Sequence, residues 1–406
     1  MNKWKSKLFI KILEYSSIFS KSSSKRLILE SLIMFRKSIV LCTLFSLSLS
    51  IICGNWSAAL AAPKVYKQAL PGYQYKFPQD HYSHDQFRTE WWYYTGHLLT
   101  DDKRRFGYEL TFFRTGADNE PTNKQSPWKL DNFYLAHFAV TDENGKKFRY
   151  TEKLNRSGPK LAGARQDAYY VYNEGWSVEK IGEHYLLRAD SPEYSIHLLL
   201  DSMKKPIVHG SNGVSQKASC VGCASHYYSM TRLKTEGTLF VGDKPNAVTG
   251  TSWMDHEFGS NQLTSDQAGW DWYSIQLDDN RELMFYLMRR ADGSFEKESS
   301  GTIIEADGTF RHLKLADFTA KPTGSWVSPK TKGKYPMGWK LSVPSAAIDI
   351  ELTPSMVEQE LVTGRSTAVT YWEGSVAVKG TSKGKSVSGQ GYVEMTGYAE
   401  KFKQKL

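Results

Sequence analysis

Trp91-Trp92-Tyr93-Tyr94-Thr95-Gly96-His97-Leu98 lies over Trp270-Asp271-Trp272-Tyr273-Ser274-Ile275-Gln276-Leu277 at a constant offset, position 91 on position 270. A charged turn and a second aromatic segment ending in Arg follow each stretch, at residues 106–114 and 283–289. The shared order of parts reads as an internal repeat of two related halves. Alternate residues of a strand share a face. One face therefore carries Trp91, Tyr93, Thr95 and His97, and its counterpart carries Trp270, Trp272, Ser274 and Gln276. Large rings followed by uncharged polar groups suit the wall of a small-molecule cavity, although rings of this kind also serve as ordinary core.

Outward from these stretches, period-two alternation continues through most of the chain. Phe106, Tyr108, Leu110 and Phe112 alternate with Gly107, Glu109 and Thr111; Ile348, Ile350 and Leu352 repeat the pattern. Polar turns such as Asp142-Glu143-Asn144-Gly145, Asp278-Asp279-Asn280 and Ala306-Asp307-Gly308 separate the runs. Short alternating strands joined by such turns indicate antiparallel sheet, as a barrel or sandwich. A short helical period is visible only around residues 355–361.

The first 62 residues differ from the rest. Arg36-Lys37 precedes an apolar run over residues 38–53, and Ala58-Ala59-Leu60-Ala61-Ala62 follows it. That order describes a secretory signal peptide, with Met34 as an alternative start and a cut near Ala61 or Ala62. The expected organisation is a leader over 1–62, an N-terminal domain over 63–259 and a C-terminal domain over 260–406, in a secreted or periplasmic protein. The apolar run is too short and Ser-rich for a comfortable membrane span, and none is expected in the mature chain. The chain has 52 basic and 43 acidic residues. Nine bases and two acids lie within 1–62, leaving 43 against 41, a net charge of +2. Nucleic-acid binding thereby loses the basic footprint it requires.

Two cysteines remain beyond the leader, in Cys220-Val-Gly-Cys223. In an exported protein they read as a local disulfide or free thiols, the alternative being a metal pair completed by His226 or His209. The densest polar cluster is Trp253-Met254-Asp255-His256-Glu257-Phe258-Gly259. Asp255 and Glu257 share a strand face with Trp253, while His256 sits opposite with Met254 and Phe258. A histidine between two carboxylates suits general acid/base work; a polar plug or salt bridge at a domain junction would use the same residues. No second His follows His256-Glu257 at zinc-protease spacing, and there is no Gly-x-Ser-x-Gly elbow or nucleotide-binding Gly loop. Tyr371-Trp372-Glu373-Gly374 and the stretch Tyr392-Val393-Glu394-Met395 each set a carboxylate among aromatics, as rim or cavity groups.

Together, residues 90–98, 250–259, 269–273 and 371–374 resemble the AttH/CrtC-like family, the lipocalin-like group that includes carotenoid 1,2-hydratases. The resemblance spans residues 82–398. It implies an all-β fold of two lipocalin-like antiparallel barrels packed together, with a ligand cleft near their junction. Relatives of this kind add water to, or cyclise, hydrophobic polyenes by proton-dependent steps without a metal or other cofactor. Association with exporter components would suggest handling of lipophilic cargo. Two positions depart from the hydratase pattern: Phe258 stands where Trp follows the histidine by two residues, and Phe285-Tyr286-Leu287-Met288 lacks the acid of a Tyr-x-Asp motif.

The expected catalytic groups are therefore His256 with Asp255 or Glu257, joined at the junction by Asp271, which stands where the first half has Trp92. The expected ligand wall is Trp91, Tyr93, His97, Trp253, Trp270, Trp272, Tyr273, Tyr371, Trp372 and Glu373. Three functions fit: a binder of a hydrophobic, lipid- or terpenoid-like molecule, a hydratase, isomerase or cyclase, and a non-catalytic envelope or transport module.

Overall fold

The computed structural model describes residues 62–121, 123–261 and 263–402. The leader expected over 1–62 falls outside them except for Ala62. No helix among the described residues is long and apolar enough to cross a membrane.

Strands β1 (Thr89–Thr100), β2 (Arg105–Gly116), β3 (Asn132–Asp142) and β4 (Lys147–Arg156) open the first sheet. Then come β5 (Ala162–Ala164), β6 (Tyr170–Asn173), β7 (Trp176–Ile181), β8 (His184–Asp190) and β9 (Tyr194–Ser202). Two short strands, β10 (Ile207–Val208) and β11 (Ser215–Gln216), precede the long β12 (Ala224–Val241) and β13 (Lys244–Asn261). The second sheet holds β14 (Gln267–Leu277), β15 (Glu282–Arg290), β16 (Ser300–Ile304), β17 (Phe310–Lys314) and β18 (Thr319–Val327). It ends with β19 (Lys334–Val343), β20 (Ile348–Pro354), β21 (Glu360–Val362), β22 (Thr370–Ser382) and β23 (Lys385–Thr396). Residues 355–361, where a helical period was expected, form a loop entering β21, because Glu360 and Leu361 pair with Trp372 and Tyr371.

All the ladders are antiparallel and the two sheets share one plan. The first runs β4-β3-β2-β1-β13-β12-β9-β8-β7-β6-β5 and the second β17-β16-β15-β14-β23-β22-β20-β19-β18. In each, the strand bearing the repeated aromatic motif sits between the next strand in sequence and the last strand of its sheet. The fold is thus all-β, with the first sheet curled into a near-barrel and the second into a half-barrel. Side chains draw the edges of the first sheet together: Asn155 Nδ2 donates to Asn173 Oδ1 at 2.7 Å, and Lys153 pairs with Glu174 at 3.0 Å.

Burial separates two kinds of strand. In β8 and β9, buried Leu187, Ile196 and Leu198 alternate with exposed Arg188 and His197, as expected of a sheet with one wet face. In β1, β2, β14 and β15 nearly every residue is buried, so both faces are covered. The three largest apolar clusters divide accordingly. Trp92, Tyr94, Phe112 and Met254 belong to the near-barrel interior, and Tyr273, Leu287, Trp339 and Trp372 to the half-barrel interior. Tyr93, Tyr227, Trp253, Trp272 and Tyr286 lie between the two sheets. Turn chemistry matches the sequence: Asn280 adopts φ 62° in the β14–β15 hairpin and Gly308 φ 84° between β16 and β17. Cys220 and Cys223 form a disulfide.

Trp176 is fully buried beside the closing edge, edge-on to Phe138 at 5.8 Å and beneath the Lys153 ammonium at 4.6 Å. Trp176→Ala is expected to lower the unfolding free energy by about 3–5 kcal/mol, as urea denaturation would measure.

Candidate functional site

The covered outer faces of the two sheets line a cavity of about 200 Å³. Odd-numbered residues of β1 reach it from one side, Trp91 and Tyr93, and even-numbered residues of β14 from the other, Trp270 and Trp272. Register carries neighbouring strands to the same place. Trp91 faces Phe113 and Glu257 across its two ladders, Tyr93 faces Asp255, and Trp272 faces Tyr286 and Glu394. Tyr227, Tyr371, Met288, Leu135 and Leu263 complete an apolar lining.

Carboxyl groups are set into this lining. Asp255, Glu257, Glu109 and Glu394 border the cavity, and Glu373 stands behind Tyr93, whose hydroxyl donates to its Oε1 at 2.7 Å. Burial raises the pKa of Asp255 to about 7. Hydrogen bonds oppose that rise: Trp253 Nε1 donates to Oδ1 at 2.7 Å, and the Ser229 hydroxyl donates to the same oxygen. Burial lifts Glu109 to about 7, against hydrogen bonds from Thr111 at 2.8 Å and Tyr371 at 3.1 Å. Glu394 rises to about 8 through burial and the neighbouring Glu109 and Asp255 charges, while Trp270 Nε1 donates to Oε2 at 3.2 Å. Burial, Glu109 and Glu394 together hold Glu373 well above the carboxylate range. Oε2 of Glu109 and Oε2 of Glu373 are buried without a hydrogen-bond partner. The exception is Glu257, which pairs with Lys217 Nζ at 2.9 Å; burial opposes the ammonium, but Glu257 more than restores it. Lys217 also lies 4.1 Å from the Tyr286 ring centre. Near neutral pH the cavity thus combines aromatic walls, acids that still hold protons in part, and the Lys217–Glu257 and Arg114–Glu90 ion pairs, an arrangement able to give a proton to an apolar molecule.

His256, expected as the acid/base group, lies outside this lining. The strand pleat turns it to the near-barrel interior, where Trp92 stacks on it at 4.9 Å. Its Nε2 bonds Glu90 Oε1 at 2.8 Å and its Nδ1 meets the Tyr228 hydroxyl at 3.0 Å. Burial pushes the His256 pKa down, against the pull of Glu90. Glu90 is the centre of that cluster. Burial opposes its charge, but Arg114, 3.0 Å away, and hydrogen bonds from His256 and His84 hold it well below the carboxylate range. His84 bridges Glu90 at 2.8 Å and Asp80 at 3.1 Å, and these bonds outweigh burial to raise it to about 9. His84, Glu90 and His256 bring donor atoms within 4.8 Å of one another. Both ring nitrogens of His84 engage carboxylates, and with Arg114 on Glu90 the cluster is an ion-pair hub that pins the segment before β1 to the sheet.

Other expectations divide in the same way. Asp271, placed with His256 at the junction by sequence, points instead into the half-barrel, held by Arg289 at 3.0 Å and Tyr398 at 3.0 Å. Tyr273 and Trp372 are half-barrel core. His97 lies between the sheets but away from the cavity lining, bonding the Gly391 carbonyl at 3.1 Å. Trp253 supports Asp255 from behind. Asp255, Glu257, Trp91, Tyr93, Trp270, Trp272 and Tyr371 do converge. Sequence reasoning missed Glu109, His137, Lys217, Tyr227 and the cavity role of Tyr286. The usable signal for Glu109 was its face: Thr95, its partner on β1, shares the side of Trp91 and Tyr93.

A profile of the family described as AttH-like matches residues 68–398. Kievitone hydratase of Fusarium solani subsp. phaseoli is 22% identical over 211 residues, 51% of this chain, and the chain spans 58% of that relative's length. A crystal structure assigned to AttH from Nitrosomonas europaea is 31% identical and superposes with a TM-score of 0.74, over 82% of this chain and 99% of that one. Kievitone hydratase from Nectria haematococca shares the fold, with a TM-score of 0.63 at 15% identity over 84% of this chain and 98% of that one.

Two outcomes follow from these electrostatics. Glu90→Ala leaves the Arg114 and His84 charges buried without their partner, and should cost about 3–5 kcal/mol in a denaturant titration. Asp255 keeps its proton to about pH 7 when folded and to about pH 4 when unfolded. The folded state binds the extra proton in that interval, so this group's contribution to stability falls as pH rises through it. Asp255→Asn imitates the protonated acid. Its melting temperature should match wild type near pH 4 and exceed it near pH 8; an equal gap at both values would refute the assignment.

Proposed function

The chain belongs to the AttH-like family, and from that premise we propose that it is a hydratase- or cyclase-type enzyme acting on a hydrophobic small molecule in the cavity between its sheets. The observation that carries the reading is the set of carboxyl groups whose pKa burial raises into the neutral range among Trp and Tyr rings. Kievitone hydratase, a relative by sequence, supports the reaction class.

Asp255 is the leading acid. Trp253 and Ser229 both donate to Oδ1, which leaves the acidic proton to Oδ2. Transfer of that proton to an alkene carbon breaks the O–H bond, forms a C–H bond and leaves a cation on the neighbouring carbon. Faces of Trp91, Trp270 and Trp272 offer cation–π stabilisation there. Water, or a nucleophile within the same molecule, then closes on the cation, and its proton returns to the Asp255 carboxylate. Glu394 is the second acid of the same wall. His256 contributes to stability and not to this chemistry. Export by the segment over 1–62, and a handling role beside exporter components, belong to the same reading.

Incubation with kievitone, and separately with lipid and terpenoid extracts, in deuterated ¹⁸O-water followed by mass spectrometry tests it. Deuterium and ¹⁸O should enter a hydrated product, or deuterium alone a cyclised one. Asp255→Asn should lower that rate by about 10²–10⁴-fold, the usual worth of a positioned acid. Quenching of Trp fluorescence without label incorporation would leave a binding protein; absence of both would reduce the aromatic wall to a packing surface.

A further inference from the structure

Glu109 differs from the other cavity acids in what lies behind it. Its Oε1 accepts from the Tyr371 hydroxyl at 3.1 Å, and that hydroxyl meets His137 Nδ1 at 2.6 Å. His137 Nε2 meets the Ser366 hydroxyl at 2.9 Å, and Ser366 donates to Glu152 Oε2 at 2.5 Å. The chain alternates between the sheets: Glu109 on β2, Tyr371 on β22, His137 on β3, Ser366 in the loop before β22, and Glu152 on β4. Glu109, Tyr371, His137 and Ser366 are all buried, whereas Glu152 is half-buried. Glu152 is the direct cross-strand partner of His137, and the Arg365 amide donates to its other oxygen at 3.3 Å.

The hydrogen count gives this chain a direction. Ser366 has one hydroxyl hydrogen and two acceptors, His137 Nε2 and Glu152; Tyr371 has one and faces His137 Nδ1 and Glu109. With a neutral imidazole there are two complete arrangements. In one, the proton is on Glu109 and each group donates outward to a Glu152 carboxylate. In the other, the proton is on Glu152 and each group donates inward to a Glu109 carboxylate. They differ by one proton moved from end to end, with the imidazole passing between its neutral tautomers. We infer that Glu109 exchanges its proton with solvent through Tyr371, His137, Ser366 and Glu152. On inward transfer the O–H bond of Glu152 breaks as that of Ser366 re-forms. Nε2 then gains the Ser366 hydrogen while Nδ1 gives its own to Tyr371, and the Tyr371 proton passes to Glu109.

His137 is suited to this by its low basicity, burial pushing its pKa down to about 3, so that it stays neutral between two hydroxyls. The charged or titratable groups facing Glu109 from the opposing strands are Glu373 on β22, beside Tyr371, and Glu394 on β23, and among the described residues no cation pairs with it. Asp255 offers a contrast. Its bonds run through Ser229 to His209 Nε2 at 2.6 Å and on to Thr302 at 2.8 Å, and Thr302 is itself buried. Tyr371, His137 and Ser366 are therefore positioning residues that act through Glu109, and the inference rests on the proposed acid chemistry only for its use.

The test is a pH-jump infrared measurement on the protein without ligand, reading the protonated-carboxyl band that disappears in Glu109→Gln. His137→Gln and Ser366→Ala should slow re-equilibration of that band by about tenfold or more, while Ser366→Thr, which keeps the hydroxyl, should stay near the wild-type rate. Variants are compared only where the melting temperature and circular dichroism match wild type. Should one fail to fold, Glu152→Gln interrupts the same chain from its half-buried end and carries the same expectation. Wild-type rates in the interrupted variants, or no band assignable to Glu109, would overturn the inference. Because the band is read without turnover, a failed hydration assay would leave this result standing.

Discussion

A strand buried on both faces sends successive residues into different compartments, and the whole arrangement depends on that constraint. β1, β2, β13, β14, β22 and β23 each have one face inside a curled sheet and one between the sheets. Each curled sheet can be packed as an ordinary apolar interior. The faces between them must bury whatever they carry, polar groups included. Asp255 and His256 are adjacent in sequence yet belong to separate environments for this reason, one in an aromatic cavity and one in the near-barrel interior.

The two environments solve the cost of buried charge in opposite ways. In the near-barrel, Glu90 keeps its charge because Arg114, His84 and His256 surround it with donors. An ion pair so enclosed adds little net stability relative to apolar packing, but removing one member is expensive. It fixes how the chain enters β1. Between the sheets, Asp255, Glu109, Glu373 and Glu394 lack enough cations, so they keep protons instead. Glu257, by contrast, finds a cation in Lys217, and Glu282 on β15 finds Arg232 of the other sheet and Lys204. The resulting row of neutral acids holds its protons at a loss of stability above the ordinary carboxylate range. Stability given up in this way is characteristic of a site kept for chemistry.

Joining the halves also creates what neither holds alone. Tyr93 reaches Glu373 across 280 positions of chain, and Tyr371 reaches Glu109 across 262. Both contacts join a buried acid on one sheet to an aromatic residue of the other. Small shifts of one sheet against its partner would therefore alter both the cavity and the protonation of its acids.

Much of this was legible in the residues themselves. Period-two alternation, turn residues such as Asn280 and Gly308, and the repeat linking Trp91 to Trp270 determined an antiparallel fold of two related sheets, because those features depend only on local geometry. The pleat also separated His256 from Asp255 and Glu257. Which of the two faces would be the cavity was decided by the tertiary structure, since it depends on where a second sheet packs. Polar residues such as Glu109 and His137 alternate with apolar ones in a way that reads as a solvent face. Burial by β22 and the loop ahead of it makes them a cavity acid and its neighbour, and no local pattern encodes a partner more than 200 residues away.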